Sequence, residues 1–459
     1  MLMERIADYV VAQRAAALPE EVAHHARRAL LDWFAALLPG TVIAPATAMR
    51  AALAEEFGSG KALLYPDGAR VPLRLAALVN GTASHTVEFD DIFKDAIYHP
   101  GCPTMAAAVA AAQTVGASGE ALLRGIVAGY EVSTRIGATI SPAHYRYWHT
   151  TGTVGCFGAA AAVAAILGLT RDQTMHALGT VGTFAAGLQQ AFRSDSMSKP
   201  LHAGRAAEAG ALAAMMAGKG VTGALDILDG PVGLGVAMSN GPDWGPKFAD
   251  LGTSWNVARM TFKNHGCCGH CFAAIDGALA LRAAHGIAAD RVARVTVGTY
   301  RTALDVTGRE TARTAFEGKF SLRYTVASAL VHGSVRLDGF TPERLADPRV
   351  VDLMTRIDLV VDPELDAAFP QRRSARVTIE TTDGRRFAHY QPHRKGDPDA
   401  PLSDAELTDK FLELAVPVIG DAGARRLRDA VWGVDRQGGE GVAGLVTTVP
   451  AAIGRAAAE

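Results

Sequence analysis

Small residues cover every face of several predicted helices in the first 265 residues, and this pattern restricts the fold more than any other feature. The longest such stretch, residues 150–170, contains no charged side chain. A helix that is apolar on all sides is surrounded by other helices or by lipid. Its four glycines and the lack of an aromatic belt favour a buried core helix over a membrane span. We therefore expect helices from Pro19 to just before Gly40 and at 105–115, 119–137, 155–167, 172–188 and 204–218.

The pattern changes after about residue 285, where apolar and polar residues begin to alternate. Alternation of this kind is typical of half-buried strands. It predicts strands at 291–300, at 374–381 and, after a hairpin turn at Asp383-Gly384, at 386–390. Short helices are expected at 324–331 and 342–346.

The last sixty residues return to a helical pattern at Ser403, which has capping-box spacing to Glu406. We therefore predict a mainly α protein with a large, split, all-helical domain and an inserted smaller α+β lid domain. The helical domain is assigned to 1–268 and to a returning C-terminal segment, 396–459. The lid domain is assigned to 269–395, and the cleft between the two domains is the expected site.

Composition excludes several function classes. The 459 residues are 49% hydrophobic and 20% charged, and their net charge of −2 gives no basic field for nucleic acid or an anionic membrane. The sequence starts without a signal-peptide pattern, and five cysteines do not form a disulfide framework at this length, so we expect a cytoplasmic protein. The cysteines of 267–271 lack the second ligand pair of structural zinc sites, and no phosphate-binding loop is present. We therefore predict no metal and no cofactor.

Two histidines stand out as candidates for acid–base chemistry. His99 precedes a Pro-Gly pair, and His149 precedes an uncharged Thr/Gly stretch. Both therefore lie on loops between apolar helices, where functional side chains are often carried. A purely structural role is the better interpretation of six other histidines: His24, His25, His85, His176, His285 and His332.

Lys199 and Lys263 lie in nearly uncharged surroundings, and His202 follows Lys199 by three residues. Most lysines are simply solvated. Two ammonium groups facing one cavity would instead bind carboxylates as compact point charges. We therefore consider a carboxylate site at Lys199, Lys263 and His149.

The acidic run of Glu88, Asp90 and Asp91 is either a solvated turn or a source of a carboxyl group with a raised pKa. Tyr324 is either a core aromatic residue or a phenol that reaches the site. Three arginines could hold further carboxylates of a substrate, although each could equally form an ordinary salt bridge: Arg193, Arg205 and Arg323.

Together these motifs resemble the MmgE/PrpD family, which includes 2-methylcitrate dehydratases, cis-aconitate decarboxylases and iminodisuccinate epimerases. The resemblance covers nearly the whole chain. It is carried by Glu88-Phe89-Asp90-Asp91 with His99-Pro100, Trp148-His149-Thr150-Thr151, Lys199-Pro200-Leu201-His202-Ala203-Gly204, and Lys263 with Cys267-Cys268.

The resemblance implies a helical domain with a smaller α+β lid, a homodimer, and a reaction without metal or organic cofactor. It also implies catalytic roles, which we assign to His149, Lys199, Lys263, His99, Asp91 and Tyr324. We assign substrate contacts to Glu88, Asp90, His202 and Arg323.

The expected function is therefore a cofactor-independent, dehydratase-type lyase that acts on a small di- or tricarboxylate through a carbanion or enolate-like intermediate. Ile92 stands where decarboxylase-like members often carry threonine, which argues against the decarboxylase, and the loop at 98–103 lacks the more polar sequence expected of the methylcitrate enzymes, so both assignments stay open. One alternative is an epimerase of a dicarboxylate such as iminodisuccinate. An alternative of another class is a non-catalytic carboxylate-binding relative.

Overall fold

The computed structural model describes residues 1–192, 194, 196–436 and 439–448, and the chain is mainly α-helical. It forms two units. The helical unit comprises Met1–Phe262 and the chain from Ser403 onward, and the α+β unit comprises Lys263–Leu402. The α+β unit begins after residue 262 and ends at residue 402, whereas the sequence predicted that the lid domain begins after residue 268 and ends at residue 395.

The helical unit contains long helices joined by short loops. Its α-helices are Leu2–Gln13, Glu20–Thr41, Ala46–Ala52, Leu73–Ser84, Gly101–Val115, Gly119–Ile140, Thr150–Thr153, Gly155–Leu167, Arg171–Val181, Ser198–Ala217, Leu234–Ala237, Gly245–Phe248 and Asp404–Trp432. A two-stranded antiparallel sheet of Ala62–Leu64 and Ala69–Val71 accompanies them.

Small residues allow the central helices to approach each other closely. The segment Thr150–Leu167 is apolar and long enough to cross a membrane, and 89% of it is buried inside the protein. A Cβ atom added at Gly204 would lie 2.2 Å from the carbonyl oxygen of Leu78, and one at Gly81 would lie 2.9 Å from Gly204 Cα. The helices Leu73–Ser84 and Ser198–Ala217 therefore pack backbone against backbone.

Three predictions for the helical unit are wrong. The helix predicted at 172–188 ends at Val181, because Gly182–Phe184 tightens into a 3₁₀ turn and the chain is extended from Ala185 to Leu188, which pairs with Trp148. The helix predicted to start at 204 starts at Ser198, since a proline is tolerated in the first turn. The helix predicted from Pro19 to just before Gly40 continues through Gly40 and ends at Thr41. In addition, the small sheet at 62–71 was not predicted.

The C-terminal helix Asp404–Trp432 belongs to the helical unit and packs along Glu20–Thr41. The predicted capping box of Ser403 and Glu406 is present at its start. Lys410 is fully buried, and its Nζ lies 2.6 Å from Asp32 Oδ1 and 2.8 Å from the carbonyl oxygen of Phe89. This contact ties the C-terminal helix to the segment that follows residue 87.

The α+β unit contains a four-stranded sheet in the order Ile357–Val361, Val292–Thr299, Ala375–Thr381, Arg386–Gln391. The first two strands are parallel, and the other two pairs are antiparallel. Its α-helices are Phe272–His285, Arg301–Thr307, Ala315–Lys319, Leu322–His332, Pro342–Leu345, Pro348–Met354 and Pro363–Ala367. The strand Ile357–Val361 was not predicted, because its sequence does not alternate.

Alternation along the strands separates the two faces of this sheet. Val295, Val377 and Ile379 are fully buried, whereas Arg294 and Glu380 on the opposite face are exposed. The helix Phe272–His285 packs against the two antiparallel strands at 375–391. The core of the unit therefore lies between one sheet face and the helices.

Candidate active site

The end of the helix Leu73–Ser84 places several ionisable side chains in the interior of the helical unit. His85 is the residue that follows the helix, and Glu88, Asp90 and Asp91 lie in the irregular segment after it. Glu88 has a φ of 60°, in the left-handed region that side chains other than glycine rarely adopt. Backbone strain of this kind is common where a side chain must be held for function.

Asp90 lies at the centre of a buried polar cluster and is 1% exposed. Its Oδ2 lies 2.9 Å from His85 Nδ1 and 2.8 Å from His99 Nδ1. Cys102 Sγ donates to the same oxygen at 3.2 Å. One carboxylate oxygen therefore gathers three side chains from residues 85–102.

Asp91 points to a different set of partners. Its Oδ1 accepts the backbone N–H of Gly101 at 2.9 Å, and its Oδ2 accepts the hydroxyl of Tyr130 at 2.8 Å. Burial and then the nearby carboxylate of Asp32 raise the pKa of Asp91 to about 8, although the hydrogen bond from Tyr130 opposes the shift. Asp91 is therefore a carboxylic acid that keeps its proton at neutral pH.

His149 is held by its backbone and by a second imidazole. Its N–H donates to the carbonyl oxygen of Gly187 at 2.8 Å, and its Nδ1 lies 3.0 Å from His202 Nδ1. The His149 ring stacks on that of His85, with centroids 5.5 Å apart and an interplanar angle of 18°. Burial lowers the pKa of His149 well below 6.5, and the neighbouring His85 and Lys199 lower it further.

His202 shares this electrostatic environment. Burial, followed by the nearby His85 and Lys199, lowers the pKa of His202 to about 4. His149 and His202 are therefore neutral at neutral pH, and of their two facing Nδ1 atoms one donates and the other accepts. A neutral imidazole carries the lone pair that a general base needs.

Lys199 lies in the first turn of the helix Ser198–Ala217 and is 7% exposed. Its Nζ donates to Glu88 Oε1. The ion pair is largely enclosed, because the two side chains are 9% and 12% exposed. The ammonium group acts in low dielectric, where charges interact more strongly than in water.

The structure brings seven of the predicted site residues into one part of the helical unit. They come from three segments: Glu88, Asp90, Asp91 and His99; His149; and Lys199 and His202. The cluster combines neutral imidazoles, a cation and a protonated carboxyl group. Such a set can remove a proton from carbon, stabilise the negative charge that results, and return a proton elsewhere.

The remaining predicted residues belong to the α+β unit. Lys263 is 1% exposed and is the first residue of the α+β unit, so its part in the site stays a prediction. Arg323 donates to the carbonyl oxygens of Ile357 and Gly308 at 3.1 and 3.0 Å.

Tyr324 is fully buried in the α+β unit, and its hydroxyl donates to the carbonyl oxygen of Gly339. These contacts favour the core alternative for Tyr324, and a role in the site stays a prediction. Arg205 is exposed and pairs with Glu208. Arg193 lies outside the described residues.

His85, His99 and Asp90 also form a group of possible metal ligands, whose atoms lie within 4.8 Å of one another. Their separations of 2.8 and 2.9 Å are those of hydrogen bonds. Two ligand atoms at normal bond lengths from a tetrahedral zinc ion would lie about 3.3 Å apart. The group fits direct hydrogen bonding better than metal coordination.

Sequence reasoning missed three members of the site, His85, Cys102 and Tyr130. His85 was interpreted as structural, because it stands at the end of an apolar helix rather than on a Gly/Pro-rich loop. Its position three residues before Glu88 is the one signal that pointed to the acidic segment. Nothing in the sequence around Tyr130, in the middle of the helix Gly119–Ile140, marks it as a partner of Asp91.

Comparisons with known proteins support an enzyme of the lyase class. The chain is 28% identical over 454 residues to "Cis-aconitate decarboxylase-like protein oryM" of Aspergillus oryzae, covering 94% of each chain. It is 27% identical over 353 residues to "Cis-aconitate decarboxylase" of Homo sapiens and 29% identical over 356 residues to that of Mus musculus, in both cases covering 74% of this chain and 72% of the relative. The models of the MmgE/PrpD N-terminal and C-terminal domains match residues 4–247 and 265–436. This match extends over most of the sequence, and the chain therefore belongs to the MmgE/PrpD family.

Proposed function

We propose that this protein is a cofactor-independent, dehydratase-type lyase of a small di- or tricarboxylate. The observation that supports this most directly is the buried pair of neutral imidazoles, His149 and His202, beside the enclosed ammonium group of Lys199. A binding protein for carboxylates needs the cation but not a desolvated neutral base. An enzyme that removes a proton next to a carboxylate needs both.

In the proposed reaction, His149 is the base. Its Nδ1–H donates to His202 Nδ1, which leaves the lone pair on Nε2 of His149 to accept a proton from the carbon next to a carboxylate. The electrons of that C–H bond form an enolate-like dianion. Lys199 stabilises the charge, and a preorganised donor of this kind contributes on the order of 3–4 kcal/mol in other enzymes.

A second group must protonate the leaving hydroxide so that it departs as water. His99 is the better candidate, because its side chain is 14% exposed, whereas Asp91 is 3% exposed and bonded to Tyr130 and Gly101. One proton leaves carbon, one joins oxygen, and the carbon–oxygen bond breaks to give an alkene and water. Lys263 is proposed as a second cation for the substrate.

Decarboxylation is the second candidate, because the relatives similar over most of their length carry the name cis-aconitate decarboxylase. Loss of CO₂ from a carbon next to an unsaturated acid also leaves a carbanion, so the same cation would stabilise it. The reaction then needs an acid to deliver a proton to carbon, and His99 is the candidate, since His149 is neutral.

Proton NMR in deuterium oxide separates these reactions. The protein is incubated with 2-methylcitrate, citrate, cis-aconitate and iminodisuccinate in turn, and Arg205→Ala serves as a control from the exposed side of the helix that carries Lys199. A growing alkene signal from a hydroxy acid supports the dehydratase, and CO₂ release from cis-aconitate supports the decarboxylase. Deuterium uptake without an alkene would show an epimerase. Saturable binding without exchange or turnover would refute the enzyme assignment.

A further inference from the structure

One oxygen atom of Asp90 contacts two histidines, and its hydrogen bond to His85 fixes where the proton of that imidazole lies. His85 Nδ1 and His99 Nδ1 lie 2.9 and 2.8 Å from Asp90 Oδ2, and of these two contacts the first has hydrogen-bond geometry. The Nδ1 atom of His85 must carry a hydrogen, because two lone pairs would otherwise face each other. In the neutral imidazole of His85, the basic nitrogen is then Nε2.

We propose that Asp90 is the positioning residue of this site, which holds His85 as the Nδ1–H tautomer and directs its Nε2 lone pair away from itself. The sequence suggested a substrate contact for Asp90. That role fits less well, because Asp90 is 1% exposed and the same oxygen also accepts Cys102 Sγ at 3.2 Å. A carboxylate that orients an imidazole in this way sets both its tautomer and its angle.

His85 is the second part of the proposal. Its ring is fully buried, and no described residue gives Nε2 a hydrogen-bond partner. The ring lies nearly parallel to that of His149, 5.5 Å away, and tilted against that of His99, 4.8 Å away. Because Asp90 holds the His85 ring in place, that ring packs against His99 and His149, the two imidazoles that the proposed reaction uses. His85 therefore positions these two rings and does not act on the substrate itself.

The tautomer assignment is tested without any substrate. Two-bond ¹H–¹⁵N correlation spectra of histidine-labelled protein distinguish Nδ1–H from Nε2–H, and His85→Gln and His99→Gln variants assign the signals. We expect Nδ1–H for His85 in the wild type. In Asp90→Ala, His85 should shift toward Nε2–H, while Asp95→Asn, in the same loop and paired with Arg259, should leave the spectrum unchanged.

The effect on turnover rests on the proposed function. We expect Asp90→Ala to lower kcat roughly 10–100-fold with KM changed by less than about threefold, as for other carboxylates that orient a histidine. Unchanged kcat in a variant with altered tautomers would overturn the positioning role.

An Nε2–H tautomer of His85 in the wild type would overturn the proposal even if the variant does not fold. So would one equivalent of zinc that stays bound to the wild type through dialysis and is lost in His85→Gln. If no acid is turned over, the proposed function fails, and the spectra still decide whether Asp90 holds the ring of His85.

Discussion

Replacing Asp91 by asparagine should change how the stability of this protein depends on pH. Burial and the carboxylate of Asp32 raise the pKa of Asp91 from 3.8 to about 8. Asparagine has nearly the same shape, and its oxygen can still accept the N–H of Gly101. It carries no titratable proton, so any pH dependence that comes from residue 91 disappears.

The magnitude follows from proton linkage. Below about pH 4 the carboxyl group of Asp91 is protonated in the folded and the unfolded chain. Between pH 4 and the folded pKa of about 8, only the folded state keeps the proton, so the free energy of unfolding falls as the pH rises. The slope is about 1.4 kcal/mol per pH unit, or on the order of 5 kcal/mol over the whole window.

Urea denaturation at half-unit steps from pH 4.5 to 9 measures this slope. Relative to wild type, Asp91→Asn should gain about 3 kcal/mol between pH 5.5 and 7.5 and nothing further above the folded pKa. Asp95→Asn is the matched control, because it removes a more exposed carboxylate from the same loop. Parallel stability profiles of wild type and Asp91→Asn would refute the claim that Asp91 stays protonated.

Four further tests address the site and the packing. Lys199→Ala should lower kcat at least roughly a hundredfold with an unchanged circular dichroism spectrum, and wild-type turnover would remove Lys199 from the mechanism. Because the pKa of His149 lies well below 6.5, its neutral form persists in mild acid, so kcat/KM should fall only below that pH; a limb centred above 6.5 would contradict this. Gly204→Ala should destabilise the protein by about 1–3 kcal/mol or more in urea, since the new methyl group would meet the Leu78 carbonyl and Thr82; an unchanged midpoint would contradict the close helix contact. Dialysis against a chelator should leave activity unchanged, and inactivation reversed by zinc or iron would support a metal site instead.

The fold could be predicted where the sequence carries a strong period. The uncharged stretch before Leu167 indicated a helix enclosed by helices, and alternation around Val377 indicated a half-buried strand. The strand Ile357–Val361 could not be found this way, because a parallel strand at the sheet edge need not alternate. Nor did the pattern show that the helix from Arg171 would end at Val181, since the extended chain that follows it pairs at Leu188 with the distant Trp148.

The sequence predicted which residues form the site, but it could not predict which of them contact each other. Glu88, His149 and Lys199 stood out because they are polar in apolar surroundings. The sequence could not show that Lys199 pairs with Glu88, more than 100 positions away, or that Asp90 gathers two imidazoles. Those contacts depend on how separate helices pack, which no local pattern records.

The buried ammonium group of Lys410 makes the order of synthesis matter for this protein. A ribosome produces Asp32 and the acidic turn at Phe89 early, yet the side chain that joins them is translated only after the whole of 263–402. Removing one member of a buried ion pair typically destabilises a protein by about 3–5 kcal/mol. Lys410 can therefore secure the turn that carries Glu88 and Asp90 only after the helix Asp404–Trp432 has been synthesised.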